Sequence, residues 1–282
     1  MDKRKLEENF FKTLMIGSTL IVLGSLLAVL VVIFVKGLPA LSISMLTETP
    51  QSGFLLGSGG GILNAIVGSL YLVGGATPIA FAVGLPIALY LNEYAGNSRL
   101  ARFTRRSLDL LWSIPSIIYG AFGFTIMIYF GMRASLLGGI VALTLLELPI
   151  MTRAMDEVVR LVPLKLKEAS YALGATKLET AMKVVCRQAL PGILMAVLLA
   201  FGRAIGDAAS ILFTAGYTDN VPNSIFGPVA SLPLAIFFQL GTPFPAVQQK
   251  AYASAAILLL IVMALSVGSK LLSRKFMKYV IT

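Results

Sequence analysis

Six apolar stretches of about 20 residues or more, separated by short charged segments, leave this chain few ways to fold. A helix needs ~20 mostly apolar residues to cross ~30 Å of hydrocarbon. The stretches are Leu14–Val35, Leu63–Leu91, Leu110–Phe130, Leu136–Met155, Leu190–Ala215 and Ala251–Leu272. Hydrophobic residues make up 57% of the 282 and charged residues 13%, against about 45–50% and about 25% in soluble globular domains. A soluble protein of this size could not cover such a core with polar surface. The expected fold class is therefore an all-α integral membrane protein with six transmembrane helices. The second stretch is long enough to tilt or project past the bilayer. Its Gly74, Gly75, Pro78, Gly84 and Pro86 predict kinks, tolerable where neighbouring helices satisfy the freed backbone. The first stretch exceeds the 7–15 apolar residues of a secretory signal and five more follow, so it is expected to be retained.

Positive charge sets the orientation. There are 23 Lys and Arg against 13 Asp and Glu, a net charge of +10. Nineteen of the cations fall in the N-terminal segment, the loop after stretch two, the loop after stretch four and the C-terminal end. Only Lys36, Arg133 and Lys250 fall on the other side, and Arg203 lies inside stretch five. Both termini are thus expected to be cytoplasmic in a multi-pass protein of the cell membrane. The basic excess reads as an orientation signal; no nucleic-acid partner is implied, and the surrounding partner is membrane lipid. The expected plan is a cytoplasmic segment 1–13, a transmembrane domain 14–272, a cytoplasmic loop about 156–189, an outer loop about 216–250 and a cytoplasmic tail 273–282. Ser224–Leu240 is apolar, but a seventh crossing would put the C-terminal cations outside, and Pro228 and Pro233 interrupt it. It reads as re-entrant or surface-lying. The other outer loop, Lys36–Gly61, ends in Gly57-Ser58-Gly59-Gly60-Gly61 and reads as a flexible connector.

Several chemistries are excluded. With no histidine and the single Cys186, there is no His-based triad, no His-ligated metal and no disulfide within the chain. No GxxxxGK[ST] phosphate loop is present, so the chain does not hydrolyse ATP by that route. No catalytic residue and no metal site is assigned.

The cytoplasmic loop Arg160–Pro191 is the most patterned segment. Pro163 suits the first turn of a helix, Leu164–Leu173 can form a short amphipathic helix, and Gly174 can end it. Thr176 and Glu179 have the spacing of a capping box for a second helix. Two short helices joined at a glycine make either an ordinary loop or a rigid knob through which another protein could transmit force.

Arg203 sits deep in stretch five, where a charge costs at least ~2.5–3.5 kcal/mol and normally faces protein or water. Asp207 follows four residues later, on the same helix face. The two read either as a neutralised structural pair or as an anion-path constriction. Glu147, beside Pro149, reads as a path residue or as a hydrogen-bond acceptor, and Arg153 lies nearer the cytoplasm. Gly202 and Gly206 have the spacing that lets a helix or a second subunit approach closely.

Particular strings then carry a resemblance. Glu168-Ala169-Ser170 followed by Gly174 and Leu190-Pro191 resembles the EAA motif of binding-protein-dependent ABC-importer permeases. The Leu-Pro comes four residues later than in the common pattern, about one extra helical turn. Ser113-Ile114-Pro115-Ser116, Ala172-Leu173-Gly174-Ala175-Thr176 and Arg203-Ala204-Ile205-Gly206 are similar to the permease subunits of phosphate ABC transporters. The Asp207-Ala208-Ala209 continuation differs from the Glu-Thr form common among them. The resemblance implies a type I importer architecture in which Glu168, Ala169, Ser170 and Gly174 form a coupling helix. The implied partners are a second permease subunit in a heterodimer, two cytoplasmic ATPase subunits holding the ATP and Mg, and an external phosphate-binding protein; this chain itself binds no cofactor. The implied substrate path contains Arg203, Asp207, Glu147 and Arg153. Permeases for sulphate, molybdate or phosphonate are the nearest alternatives, and an ion-coupled secondary transporter is the alternative outside the class.

Overall fold

The computed structural model describes residues 3–51 and 59–277. Gly57 and Ser58 of the glycine run, and Lys278 and the rest of the tail, lie outside the described residues. The elements are α1 (Lys3–Gly37), α2 (Ile43–Thr47), α3 (Leu63–Glu93), α4 (Arg99–Ser113), α5 (Ser116–Tyr129), α6 (Leu136–Arg160), α7 (Leu164–Ala172), α8 (Lys177–Glu179), α9 (Cys186–Ile205), α10 (Leu232–Leu240) and α11 (Pro245–Met277). A π-helical stretch, Thr180–Val185, joins α8 to α9. Serine residues set several of the starts: Ser98, Ser135 and Ser231 each accept the amide three residues on, at the heads of α4, α6 and α10.

Among the described residues, five helices are long and apolar enough to cross a membrane: α1, α3, α6, the α8–α9 run and α11. The expected third span, Leu110–Phe130, is a broken one. Its first residues belong to α4, and α4 and α5 meet at 97°. Ile114 precedes Pro115 and takes an extended conformation, which the proline ring imposes by disfavouring the helical region one residue earlier. α4 is strongly amphipathic and carries Arg99, Arg102, Arg105 and Arg106, as a helix lying along the interface does.

The expected fifth span is also corrected. It was expected to reach Ala215, but α9 stops at Ile205 and the chain continues in turns. Ser224–Leu240 holds no helix long enough to span; Ile225 and Phe226 at its start are exposed, and from Val229 on it turns inward. Val229, Ala230, Leu232, Leu234 and Ala235 are wholly buried, and α10 has nine residues, about 14 Å. The segment re-enters the bundle and packs against α3 and α11.

The core is the α3–α6 pair, joined by α9. Leu72, Val73 and Ala76 of α3 meet Leu143 and Leu146 of α6 and Ile205 of α9. Farther along, Met151, Met155 and Val159 meet Ala189, Ile193 and Ala196. In lipid such contacts hold by van der Waals packing, because hydrocarbon offers apolar surface no reason to leave it. α1 stands apart. It rests on α11 near Gly37 and Tyr252 and presents most of its apolar surface outward. The outer connector is less free than its glycines imply. Gly60 bridges Pro50, and the Lys250 ammonium donates to the carbonyls of Gly59 and Gly60.

The re-entrant segment depends on Gly68, whose Cβ position would lie 1.9 Å from the Ala230 carbonyl oxygen. Backbone cannot yield as a side-chain tip can. Gly68→Ala is expected to lower stability by about 1–3 kcal/mol, read as a lower melting temperature of the detergent-solubilised protein; an unchanged melting curve refutes the close-packed re-entry.

Candidate functional site

Residues from four helices surround an open cavity of about 590 Å³. α9 contributes Leu198, Leu199, Gly202 and Arg203, followed by Gly206 and Asp207. Trp112 comes from α4, Ile150 from α6 and Ser266 from α11. The hypothetical Cβ of Gly202 meets nothing within 4 Å, so the small-residue face of α9 opens on the cavity and is not filled by another helix of this chain.

Arg203 and Asp207 reach the same cavity but do not lie on one helix. Gly206 caps α9, and the Asp207 amide donates to the Ala204 carbonyl. The Asp207 carboxylate accepts the Ser210 amide at 2.8 Å and so heads a turn of its own. No ion pair within 4.0 Å joins the two side chains among the described residues. Arg203 is exposed to the cavity. The neutralised-pair reading does not describe this arrangement: a guanidinium stands in an open space with a carboxylate nearby and still free to accept.

The turn carrying Asp207 is tightly seated. Gly120 of α5 lies against it, and a Cβ there would stand 2.7 Å from the Ser210 carbonyl oxygen. One residue earlier, the Tyr119 hydroxyl donates to the Leu111 carbonyl of α4 at 2.7 Å, across the bend.

Glu147 and Arg153 lie apart from this cavity. Glu147 is 1% exposed between α3 and α6, and its Oε1 accepts the Thr77 hydroxyl at 3.1 Å. Of its two readings, the acceptor is the one observed. Arg153 is engaged by three carboxylates: Asp109 at 2.7 Å, Asp156 at 2.9 Å and Glu157 at 2.7 Å. The spacing of Arg153, Asp156 and Glu157 along one helix was legible in the sequence. The approach of Arg105 and Asp109 from α4 was not, nor was the place of Trp112 in the cavity wall.

The knob of α7 and α8 forms as patterned. Gly174 ends α7 at φ +82°, and its amide and that of Ala175 donate to the carbonyls of Tyr171 and Ser170. Thr176 and Glu179 make both halves of the capping box. Glu168 and Ala169 are exposed, and Leu173 is 90% exposed. Ser170 faces inward, its hydroxyl sharing a 2.9 Å hydrogen bond with that of Thr180. Lys167 pairs with Glu93 at the end of α3, at 2.5 Å. The knob therefore rests on α3 and on the π-helical stretch. That stretch lies between Gly174 and the late Leu190-Pro191, and its wider winding takes up part of the extra chain.

Residues 80–278 match the family described as binding-protein-dependent transport system inner membrane component. The phosphate transport system permease protein PstA of Haemophilus influenzae is 38% identical over 244 residues, covering 86% of this chain and 85% of that protein. PstA of Pasteurella multocida is 33% identical over 269 residues, 95% of each chain. Among solved structures, the MetNI methionine ABC transporter in an inward-facing conformation superposes with a TM-score of 0.62 at 22% identity, covering 76% of this chain and 95% of that one. An amino acid ABC transporter superposes at 0.59 and 18% identity, covering 76% and 93%. These structures share the fold.

The Thr77–Glu147 bond tests the buried acceptor directly. Thr77→Val keeps the shape but leaves the carboxyl group without its donor, a cost of about 1–3 kcal/mol. Melting of the variant should fall accordingly, with Thr77→Ser close to wild type; equal melting of Val and wild type contradicts the role.

Proposed function

Because this chain belongs to the binding-protein-dependent transport system inner membrane component family, in its PstA-type branch, we propose that it forms one side of the path for inorganic phosphate in an ATP-driven importer. The chain is a transport permease and not an enzyme. Its partners are a second permease subunit across the open cavity, two cytoplasmic ATPase subunits and an external phosphate-binding protein. Both termini lie in the cytoplasm.

The observation that carries this reading is the free Arg203 sharing an open cavity with Asp207. A guanidinium presents a planar fork of donors that matches two phosphate oxygens. Phosphate near neutral pH keeps one or two protons, and the Asp207 carboxylate can accept a P–OH. Sulphate has no proton to offer and meets the carboxylate as a like charge. The pair thus passes one oxyanion and disfavours the other. An open cavity facing away from the chain's own core suits a path completed by a second subunit. Glu147 supports the wall from behind, and Arg153 ties the cytoplasmic ends of the helices.

Energy enters at α7. The exposed Glu168–Ala169 edge and Leu173 are the surface an ATPase would grip. Movement there passes through Lys167–Glu93 to α3 and through Ser170–Thr180 to the helix bearing Arg203.

Two measurements on the reconstituted complex test the reading. Asp207→Asn should lower the ratio of ATP-dependent phosphate to sulphate uptake about tenfold, the equivalent of ~1.4 kcal/mol; an unaltered ratio in an assembled complex removes the selectivity role. Gly174→Val places a β-branched residue in the left-handed region at a cost of about 1–2 kcal/mol. It should leave nucleotide binding intact and abolish uptake, while Gly174→Asn, which tolerates that region, keeps most of it. Full uptake by the Val variant argues against coupling through this turn.

A further inference from the structure

The buried charge cluster at the cytoplasmic end of α6 stands close to the cavity wall. Asp156 is fully buried, and four donors fill its two oxygens. Arg105 forks onto it, Nε to Oδ2 at 2.8 Å and Nη2 to Oδ1 at 3.0 Å. Arg153 donates to Oδ2 at 2.9 Å and the Asn92 amide to Oδ1 at 2.7 Å. The Arg105 guanidinium also reaches the carbonyls of Leu91 and Gly96. One carboxylate therefore joins the end of α3, the interfacial helix α4 and α6. Arg153 adds a second tie to α4 through Asp109 at 2.7 Å.

Helical spacing carries this anchor to the cavity. Arg105, Leu108 and Trp112 follow one another at three and four residues, so they share one face of α4. Trp112, seven residues or about 10 Å along that face, lines the cavity of Arg203 and Asp207. On α6, Ile150 lines it too, one turn from Arg153. Beyond Trp112 the elbow is braced by Tyr119 on the Leu111 carbonyl, and it is pressed through Gly120 onto the turn that Asp207 heads. The α4–α5 elbow thus runs as a braced piece from the charge cluster to the cavity.

We propose that Asp156, through its bidentate hold on Arg105, is a positioning residue that latches the α4–α5 elbow and keeps Trp112 in the wall of the anion path. Releasing the latch lets Trp112 leave the wall, and helix movement no longer alternates access. The latch explains why a carboxylate is wholly buried beside two arginines at the end of a span. Removing one partner of such a cluster strands the other charges in a buried place, so the hold on Arg105 is costly to break. The proposal rests on the reading that the cavity carries the anion.

Trp112 is the chain's single tryptophan, so subtracting the emission of a Trp112→Phe complex isolates its signal. In the assembled complex, Arg105→Lys keeps the charge but loses the fork. It should raise acrylamide quenching of Trp112 towards that of an exposed indole. It should also cut phosphate uptake per ATP hydrolysed about tenfold, as misplacement of a site wall by an ångström or so does. Asp109→Asn removes only the outer, half-exposed tie; it should fold normally and shift both readouts in the same direction by less. Wild-type quenching and wild-type uptake per ATP in both variants overturn the latch. So does lost uptake with quenching unchanged, which marks the cluster as structural support alone. Should Arg105→Lys fail to assemble, Asp109→Asn decides by the same criteria. The quenching contrast does not depend on which anion moves: a wild-type complex that takes up no phosphate removes the functional reading and leaves the latch to be judged on Trp112.

Discussion

Hydrocarbon accepts no hydrogen bonds, and the non-helical part of this protein is shaped by that constraint. Between the end of α9 and the start of α10 the chain runs through turns and extended backbone, much of it buried. Each stretch finds donors or acceptors inside the protein. The amides of Ser135, Leu136 and Leu137, at the head of α6, donate to the carbonyls of Thr214, Gly227 and Ile225. The Val229 amide donates to Ala215, and the Ser69 hydroxyl of α3 accepts the Leu232 amide at 2.8 Å. Asn64 reaches the Thr218 carbonyl. The first residues of α3 and α6 are thus the frame that allows irregular backbone beside the cavity, and Asp207 belongs to that irregular stretch.

The same constraint sorts the charges by what they do. Asp156 is surrounded by arginine and amide donors, Lys167 meets Glu93, and Arg153 meets three carboxylates. These pairs tie together the helix ends nearest α7 and α8. Arg203 has no such partner and faces open space. An unpaired guanidinium within a span is costly; in the proposed reading a passing anion offsets that cost. The proposed anion contact and the helix anchors are therefore separated by pairing, although both use arginine.

The cytoplasmic knob and the cavity are connected by short contacts. α7 touches the end of α3 through an ion pair and the π-helical stretch through a hydroxyl pair. The run from that stretch into α9 ends at Arg203 and Gly206. α7 thus touches, through Thr180–Val185, the run that continues into the helix lining the cavity.

The sequence by itself determined the membrane class, the orientation signal and most of the spans, because length, apolarity and charge asymmetry are local quantities that no distant contact can reverse. It also determined the knob: Gly174, Thr176 and Glu179 act on their own neighbours, and the structure reproduces the cap and the left-handed glycine. Only the tertiary structure decided the rest. Leu110–Phe130 reads as one unbroken span from apolarity alone, yet the chain bends by 97° at Ile114-Pro115, where Arg105 on Asp156 and Tyr119 on Leu111 brace it. Helical spacing placed Asp207 with Arg203 on one face, yet α9 stops at Ile205, where Gly206 caps it and the Asp207 carboxylate takes the Ser210 amide into a separate turn. Arg105 and Asp156 are 51 residues apart, and no periodicity links them. Pairing across such a distance is set by how helices pack, which is a property of the assembled bundle and not of any one of its segments.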